Sequence, residues 1–205
     1  MRMLAIETAS EACSVALFDG SALIAHDHRI MARGHAEALV PMIAALPDKG
    51  RSSRILVSLG PGSFTGVRIG IAAARALGFA WGAEVLGYPT LALVAAQAQT
   101  TAPVTVCMNG GHGEWFVQDF ADGASLGALQ SLVPDAAKLV GAQSLIAGNR
   151  AEQFAALLEA EHTVLDLMPD ARQINWVPEA MLSANLAPIY GRGPDATPMA
   201  GRPAA

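Results

Sequence analysis

At 205 residues the chain has room for one large domain or two small ones. Hydrophobic residues make up 52% and charged residues 15%, with a net charge of −5, so apolar surface is plentiful and charge is scarce. No basic cluster with interleaved aromatics occurs, which argues against strong unaided nucleic-acid binding. No stretch reaches the ~18 uninterrupted apolar residues of a membrane span, and Glu7 interrupts the first apolar run too early for a signal peptide. Cys13 and Cys107 sit far apart in apolar, strand-like runs and read as buried reduced thiols, which places the chain in the cytoplasm.

Strands are expected over Met3–Glu7, Ala12–Phe18 and Ser21–Arg29, with Asp19-Gly20 as a hairpin turn between the last two. This is an antiparallel meander. After Arg33-Gly34, the stripe Leu39, Met42, Ile43 and Leu46 predicts a helix over His35–Leu46, with Pro41 kinking or weakening its middle. A buried strand over Ile55–Leu59 leads through a glycine-rich loop into a helix over Gly66–Trp81. A short strand, Glu84–Gly87, and a helix, Thr90–Ala98, follow. Three meandering strands and then helix, strand, helix, strand, helix make an α/β layer with a mixed sheet.

Thr100 to Pro103 reads as a linker dividing residues 1–100 from a smaller unit, 101–187. The pattern then restarts with strands over Val104–Met108 and Trp115–Phe120 around a glycine-laden turn. Beyond it the signals weaken to a strand over Ser144–Ala147, a helix over Ala151–Glu161 and a strand over Thr163–Leu167. The Gly- and Pro-rich tail from Gly191 is expected to fray. Two strand-led halves suggest a duplicated fold whose second copy is eroded.

The Gly66–Trp81 helix is apolar nearly all round. Gly66, Gly70, Ala74, Gly78 and Gly82 recur at steps of four, and Arg68 and Arg75 share one face. An interior glycine costs roughly 1 kcal/mol against alanine, so the ridge requires a backbone that approaches closely. That backbone belongs either to the chain's own sheet or to another chain.

The loop Gly60, Pro61, Gly62, Ser63, Phe64, Thr65 offers a helix N-terminus, which attracts anions, and either hydroxyl could cap the helix. Its fingerprints are incomplete. The Walker A lysine is missing, the third glycine of G-x-G-x-x-G falls at Gly66 instead of Thr65, and Pro61 breaks a nucleophile elbow. Glu7-Thr8-Ala9-Ser10 either faces a metal-bound phosphate or satisfies turn amides, with the turn reading favoured. Glu7, Thr8, Gly60, Gly62, Ser63, Thr65 and Gly66 are therefore weak candidates for nucleotide or phosphate contact. His26 and His28 share a strand face without a third metal ligand. His35 suits a cap or an interface, and His112 lies in a glycine turn. No Ser-His-Asp order, H-E-x-x-H or C-x-x-C occurs, and neither catalytic nor metal residues are assigned.

The segments LAIETASEACSVALFDG, RGHAEALVPMI, LGPGSFTGVRIGIAAARALGFAWGAEVLGYPTLAL and the late PIYGR together resemble the TsaB (YeaZ) family, specifically over residues 3–98 and thinly over 100–187. The resemblance implies the duplicated actin/sugar-kinase/Hsp70 (ASKHA) fold with a degenerate nucleotide cleft. It also implies the role of a non-catalytic partner for TsaD, the paralogue that attaches threonylcarbamoyl to the adenosine beside the tRNA anticodon. A TsaE-like ATPase would complete the assembly, tRNA would enter only through the complex, and the chain alone would form a homodimer. No cofactor is implied beyond ATP or ADP at the complex interface. The paralogue's H-x-x-x-H metal site falls here at Thr90 and Val94, which cannot supply it.

In the family the first two long helices pair with those of TsaD, which marks His35, Leu39, Met42, Ile43, Leu46, Ile69, Gly70, Ala73, Ala74 and Leu77 as interface candidates and supplies a reason for the small-residue ridge. The chain departs from the family after the linker, where Asn109-Gly110-Gly111 and Glu114-Trp115-Phe116 replace Asp-Ala-Arg and Glu-Val-Tyr. The rival readings are an ATPase or phosphotransferase of the same fold and, least favoured, a metallopeptidase. The tail 188–205 is expected to pack back on the first unit.

Overall fold

The computed structural model describes residues 1–191. The tail beyond Gly191, for which fraying was expected, lies outside them. The first sheet contains β1 (Arg2–Glu7), β2 (Ala12–Asp19), β3 (Ala22–Ile30), β4 (Arg54–Ser58) and β5 (Glu84–Tyr88) in the order β3-β2-β1-β4-β5. The meander is antiparallel, and β4 and β5 join it in parallel. Helix α1 (His35–Ala45) links β3 to β4, and α2 (Phe64–Trp81) links β4 to β5.

The second sheet repeats this plan. Strands β6 (Val104–Gly111), β7 (Glu114–Ala121) and β8 (Ala124–Ser125) form the meander, and β10 (Leu145–Ala147) and β11 (Thr163–Leu165) add in parallel beside β6. The extra strand β9 (Gln130–Leu132) pairs with β7. Helices α4 (Pro134–Val140) and α5 (Ala151–Ala155) occupy the chain positions of α1 and α2. Erosion is concentrated there, since α2 has 18 residues and α5 has 5.

The expected helix over Ala151–Glu161 is thus halved. After Ala155 the backbone bonds tighten, with Leu157 N donating to Phe154 O and Leu158 N to Ala155 O, both at 3.0 Å. Helix α4, with proline at its first position and Gly141 at its end, carried too short a pattern to predict.

The halves exchange elements. Helix α3 (Thr90–Gln97) leaves the first half, and its Leu91, Ala92 and Val94 pack with Val104, Val106 and Phe116 of the second. The short 3-10 helix Ala171–Trp176 returns from the second half and seats Ala171 and Ile174 on Ala5, Ala16 and Phe18. The first sheet is therefore covered on both faces, which explains why β1 and β2 are buried without alternation. Arg54 on β4 forks onto both Glu179 carboxylate oxygens at 2.7 Å, fastening the returning chain. Residues 183–190 continue along the first half, where Gly87 and Ser183 bridge and Ile189 N donates to Leu59 O at 2.7 Å.

The glycine ridge of α2 faces the chain's own sheet. A Cβ at Gly66 would strike the Thr8 carbonyl oxygen, one at Gly70 the Thr8 hydroxyl, and one at Gly78 the Val85 side chain. Ala74 is fully buried in the same seam. Ridge spacing alone does not distinguish a helix seated on a sheet from one seated on a neighbouring chain. Gly82 stands apart, ending α2 at φ 65° in open space. Gly70→Ala should therefore cost the isolated chain about 1–3 kcal/mol, read by denaturant unfolding.

Candidate functional site

Polar groups converge on the β1–β2 turn. Thr8 Oγ1 donates to Gly66 O at 2.8 Å, and Ser63 N donates to Ala9 O at 2.6 Å. His35 Nε2 donates to Ser10 O at 3.0 Å, and Met31 N to Glu11 O at 2.7 Å. A Cβ at Gly62 would overlap the Ala9 carbonyl, and one at Gly60 would meet the Ile189 carbonyl oxygen at 2.8 Å. The glycines of the loop thus serve contact with this turn and with the returning chain. Of the two candidate hydroxyls, Ser63 caps α2, accepting from Gly66 N at 3.2 Å, and the helix starts two residues earlier than expected.

Glu7 lies beneath this turn, fully buried. Its carboxylate accepts from Ala9 N at 2.6 Å and meets the Tyr88 hydroxyl at 3.4 Å. Burial pushes its pKa up to about 7 despite these bonds. Tyr88 is itself buried, donates to Ile6 O at 2.9 Å and titrates well above its usual range through burial. Glu7 and Thr8 are internal and do not line the cleft described next.

A cleft of about 1220 Å³ opens between the halves. One wall carries the turn at Ala9–Glu11 and the first turns of α1 and α2; the other carries residues 109–112. Ser63, Thr65, Gly66, Gly62 and His35 border it, as do the cations Arg33 and Arg68. Arg68 lies over the Phe64 ring at 3.4 Å and donates to the Tyr190 hydroxyl at 3.0 Å, while Phe64 and Tyr190 stack at 5.5 Å. Phe64 and Arg68 are one helical turn apart, but nothing local in the sequence signals the clasp, because Tyr190 lies 122 residues beyond Arg68.

Other candidates resolve into structural roles. Thr90 is buried with its hydroxyl 2.6 Å from Ser58 Oγ, and Val94 is in the core. His28 Nδ1 lies 3.8 Å from Asp170, whereas His26 points to solvent on the edge strand. No group of three or more potential ligands suited to a metal ion exists among the described residues. His112 is exposed in the β6–β7 turn at φ 52°. Cys13 and Cys107 are free and buried, and burial pushes Cys107 up to about 12.

The interface candidates separate into two sets. Leu39, Met42, Ile43 and Leu46 are buried in the chain's own core against β1, β2 and β4, and Gly70 and Ala74 lie in the α2 seam. An amphipathic stripe reads the same whichever sheet or helix it meets, and here it meets its own sheet. Ile69, Ala73 and Leu77 remain half-exposed. The outer faces of α1 and α2 carry Val40, Pro41, Ala44, Ala72, Ala76 and Phe79, with Phe79 94% exposed and Val40 62% exposed.

The duplicated α/β plan with a cleft between its halves defines an ASKHA-like protein. Residues 28–164 match the family model "TsaD: tRNA N6-adenosine threonylcarbamoyltransferase". The chain is 45% identical over 102 residues to the Escherichia coli tRNA threonylcarbamoyladenosine biosynthesis protein TsaB; that match covers 46% of this chain and 43% of the relative. YeaZ from Pseudomonas aeruginosa superposes with a TM-score of 0.77 at 26% identity, covering 92% of this chain and 99% of that one. The ethanolamine utilization protein EutJ from Carboxydothermus hydrogenoformans, at 11% identity and a TM-score of 0.53, covers 87% of this chain and 90% of that one and shares the fold alone. The chain belongs to the TsaB (YeaZ) family. No helix among the described residues is long and apolar enough to cross a membrane.

Glu7 makes stability depend on pH. Its folded pKa is raised from 4.5 to about 7, so its neutral form favours the fold below pH 4.5, and that contribution is lost as pH rises through 7. Unfolding titrations should show a loss of about 3 kcal/mol across this window, and Glu7→Gln should flatten the profile.

Proposed function

We propose that the chain is a non-catalytic partner subunit in tRNA threonylcarbamoyladenosine biosynthesis, docking a TsaD-like catalytic subunit through the outer faces of α1 and α2. The observation that carries this reading is the apolar surface that α1 and α2 leave uncovered, including Phe79, which is 94% exposed. Contiguous apolar surface of this kind marks interaction sites. The name of the Escherichia coli relative supports the pathway, and the match to the TsaD family model supports a paralogous partner. Symmetric pairing of two copies through the same faces follows when the partner is absent.

The phosphotransferase reading draws less support. Glu7 and Thr8 are internal, and Ser63 and the loop glycines are committed to the cap and to the β1–β2 turn. In this account nucleotide enters only at the complex interface, tRNA is carried by the assembled complex, and a TsaE-like ATPase acts on that complex. The subunit works in the cytoplasm.

Ala76 is exposed in the isolated chain, so Ala76→Glu leaves folding intact, but at the docked face it buries an unpaired carboxylate. Calorimetry should show at least ~100-fold weaker binding to the TsaD-like subunit, with an unchanged melting temperature. Wild-type affinity in the variant, or ATP turnover by the isolated chain, would contradict the reading.

A further inference from the structure

Glu11, in the β1–β2 turn, aims its carboxylate at the other half of the molecule. Oε1 accepts from Asn109 Nδ2 at 2.9 Å, and Oε2 from Asn149 Nδ2 at 3.3 Å. Asn109 sits near the end of β6, and Asn149 lies in the loop between β10 and α5. Their own bonds fix which way the two amides point. Asn149 Oδ1 accepts from Asn109 N at 2.8 Å, and Asn109 Oδ1 accepts from Gly111 N at 3.1 Å. Each oxygen is thereby occupied, and each NH2 group faces Glu11. The Glu11 backbone is fastened to the first half through Met31 N, next to the Ser10 carbonyl that holds His35 at the start of α1.

We propose that Glu11, Asn109 and Asn149 form a latch across the cleft, fixing the angle between the halves and the position of α1 relative to the second half. Hydrogen bonds to a charged acceptor are the stronger class, and these two are half-shielded from water at the cleft wall. Of the other elements that join the halves, α3 and the Ala171–Trp176 helix pack into the two cores away from the cleft, whereas the returning chain lines it at Tyr190 and Gly191, beside Phe116. Opening the cleft therefore requires the Glu11 carboxylate to exchange two amide donors for water or for the donors of an incoming group. The latch also gives the Asn109–Gly113 turn a role. The bulge between Asn109 and Gly111 bends β6 where the Asn109 side chain meets Glu11. This inference stands independently of the docking partner.

Charge exchange tests it. Asn109→Asp sets a carboxylate against Glu11 where a donor now lies at 2.9 Å, which repels and spreads the cleft. Adding Glu11→Gln restores one donor and one acceptor with their roles exchanged. The readout is the distance distribution between spin labels at Ala36→Cys and Lys138→Cys, exposed sites in separate halves, with the native cysteines left buried. Asn109→Asp should shift and broaden the distribution, and the double substitution should return it to that of the parent. If Asn109→Asp alone fails to fold, recovery of a folded protein with the parental distribution in the double variant supports the latch equally. An unshifted distribution in Asn109→Asp, or no recovery in the double variant, overturns it.

Discussion

The β1–β2 turn, residues 8–11, is the point on which the rest of the molecule is assembled. Its three carbonyls at Thr8, Ala9 and Ser10 receive the Gly66 region, the Ser63 amide and the His35 ring, or lie against them, and its Glu11 backbone receives Met31. Four backbone positions thus fix the start of α1, the start of α2 and the end of β3. Such bonds are individually worth only about 1 kcal/mol, but they are mutually dependent because each positions the next element. The glycines at 62 and 66 are the steric counterpart. A side chain at either would overlap the turn's own carbonyls, so the turn and the loop specify each other.

One helix consequently has two unlike sides. The side of α2 that meets the sheet is built from Gly66, Gly70, Ala74 and Gly78, which lets the helix axis come close to β1, β4 and β5. The opposite side is also apolar, with Ala72, Ala76 and Phe79 in solvent. Close seating on the sheet, with Val67 and Ile71 filling the core beside the ridge, leaves the outward apolar stripe without a role inside the chain. Arg68 and Arg75 mark the border of that stripe. They are held by the returning chain, Arg68 through Tyr190 and Arg75 through the Leu186 carbonyl oxygen at 3.4 Å.

Much of this was legible in the sequence where a pattern was long and local. The meander, the α1 stripe and the four-step ridge of α2 were read from periodicity, and the duplication from the restart at Val104. The target of each stripe was not legible. Leu39, Met42 and Ile43 form the same i, i+3, i+4 pattern whether they face a sheet or a partner. The short helix α4 lacked the length for a periodic signal, and helix-forming residues after Ala155 suggested a longer α5 than the β10–β11 crossover allows. Glu11 escaped notice because its partners lie 98 and 138 residues away, and nothing in the local run Ser10-Glu11-Ala12 differs from an ordinary polar turn. The clasp of Phe64, Arg68 and Tyr190 escaped for the same reason.

The division between an inward ridge and an outward docking stripe is open to a direct measurement. Hydrogen–deuterium exchange can be compared for the chain alone and mixed with the proposed TsaD-like subunit, at a concentration low enough to suppress self-association. Added protection confined to residues 36–45 and 69–80, with the cleft loops at 62–66 and 109–113 unchanged, is the result the account predicts. Protection centred on those cleft loops, with the α1 and α2 peptides unaffected, would contradict it.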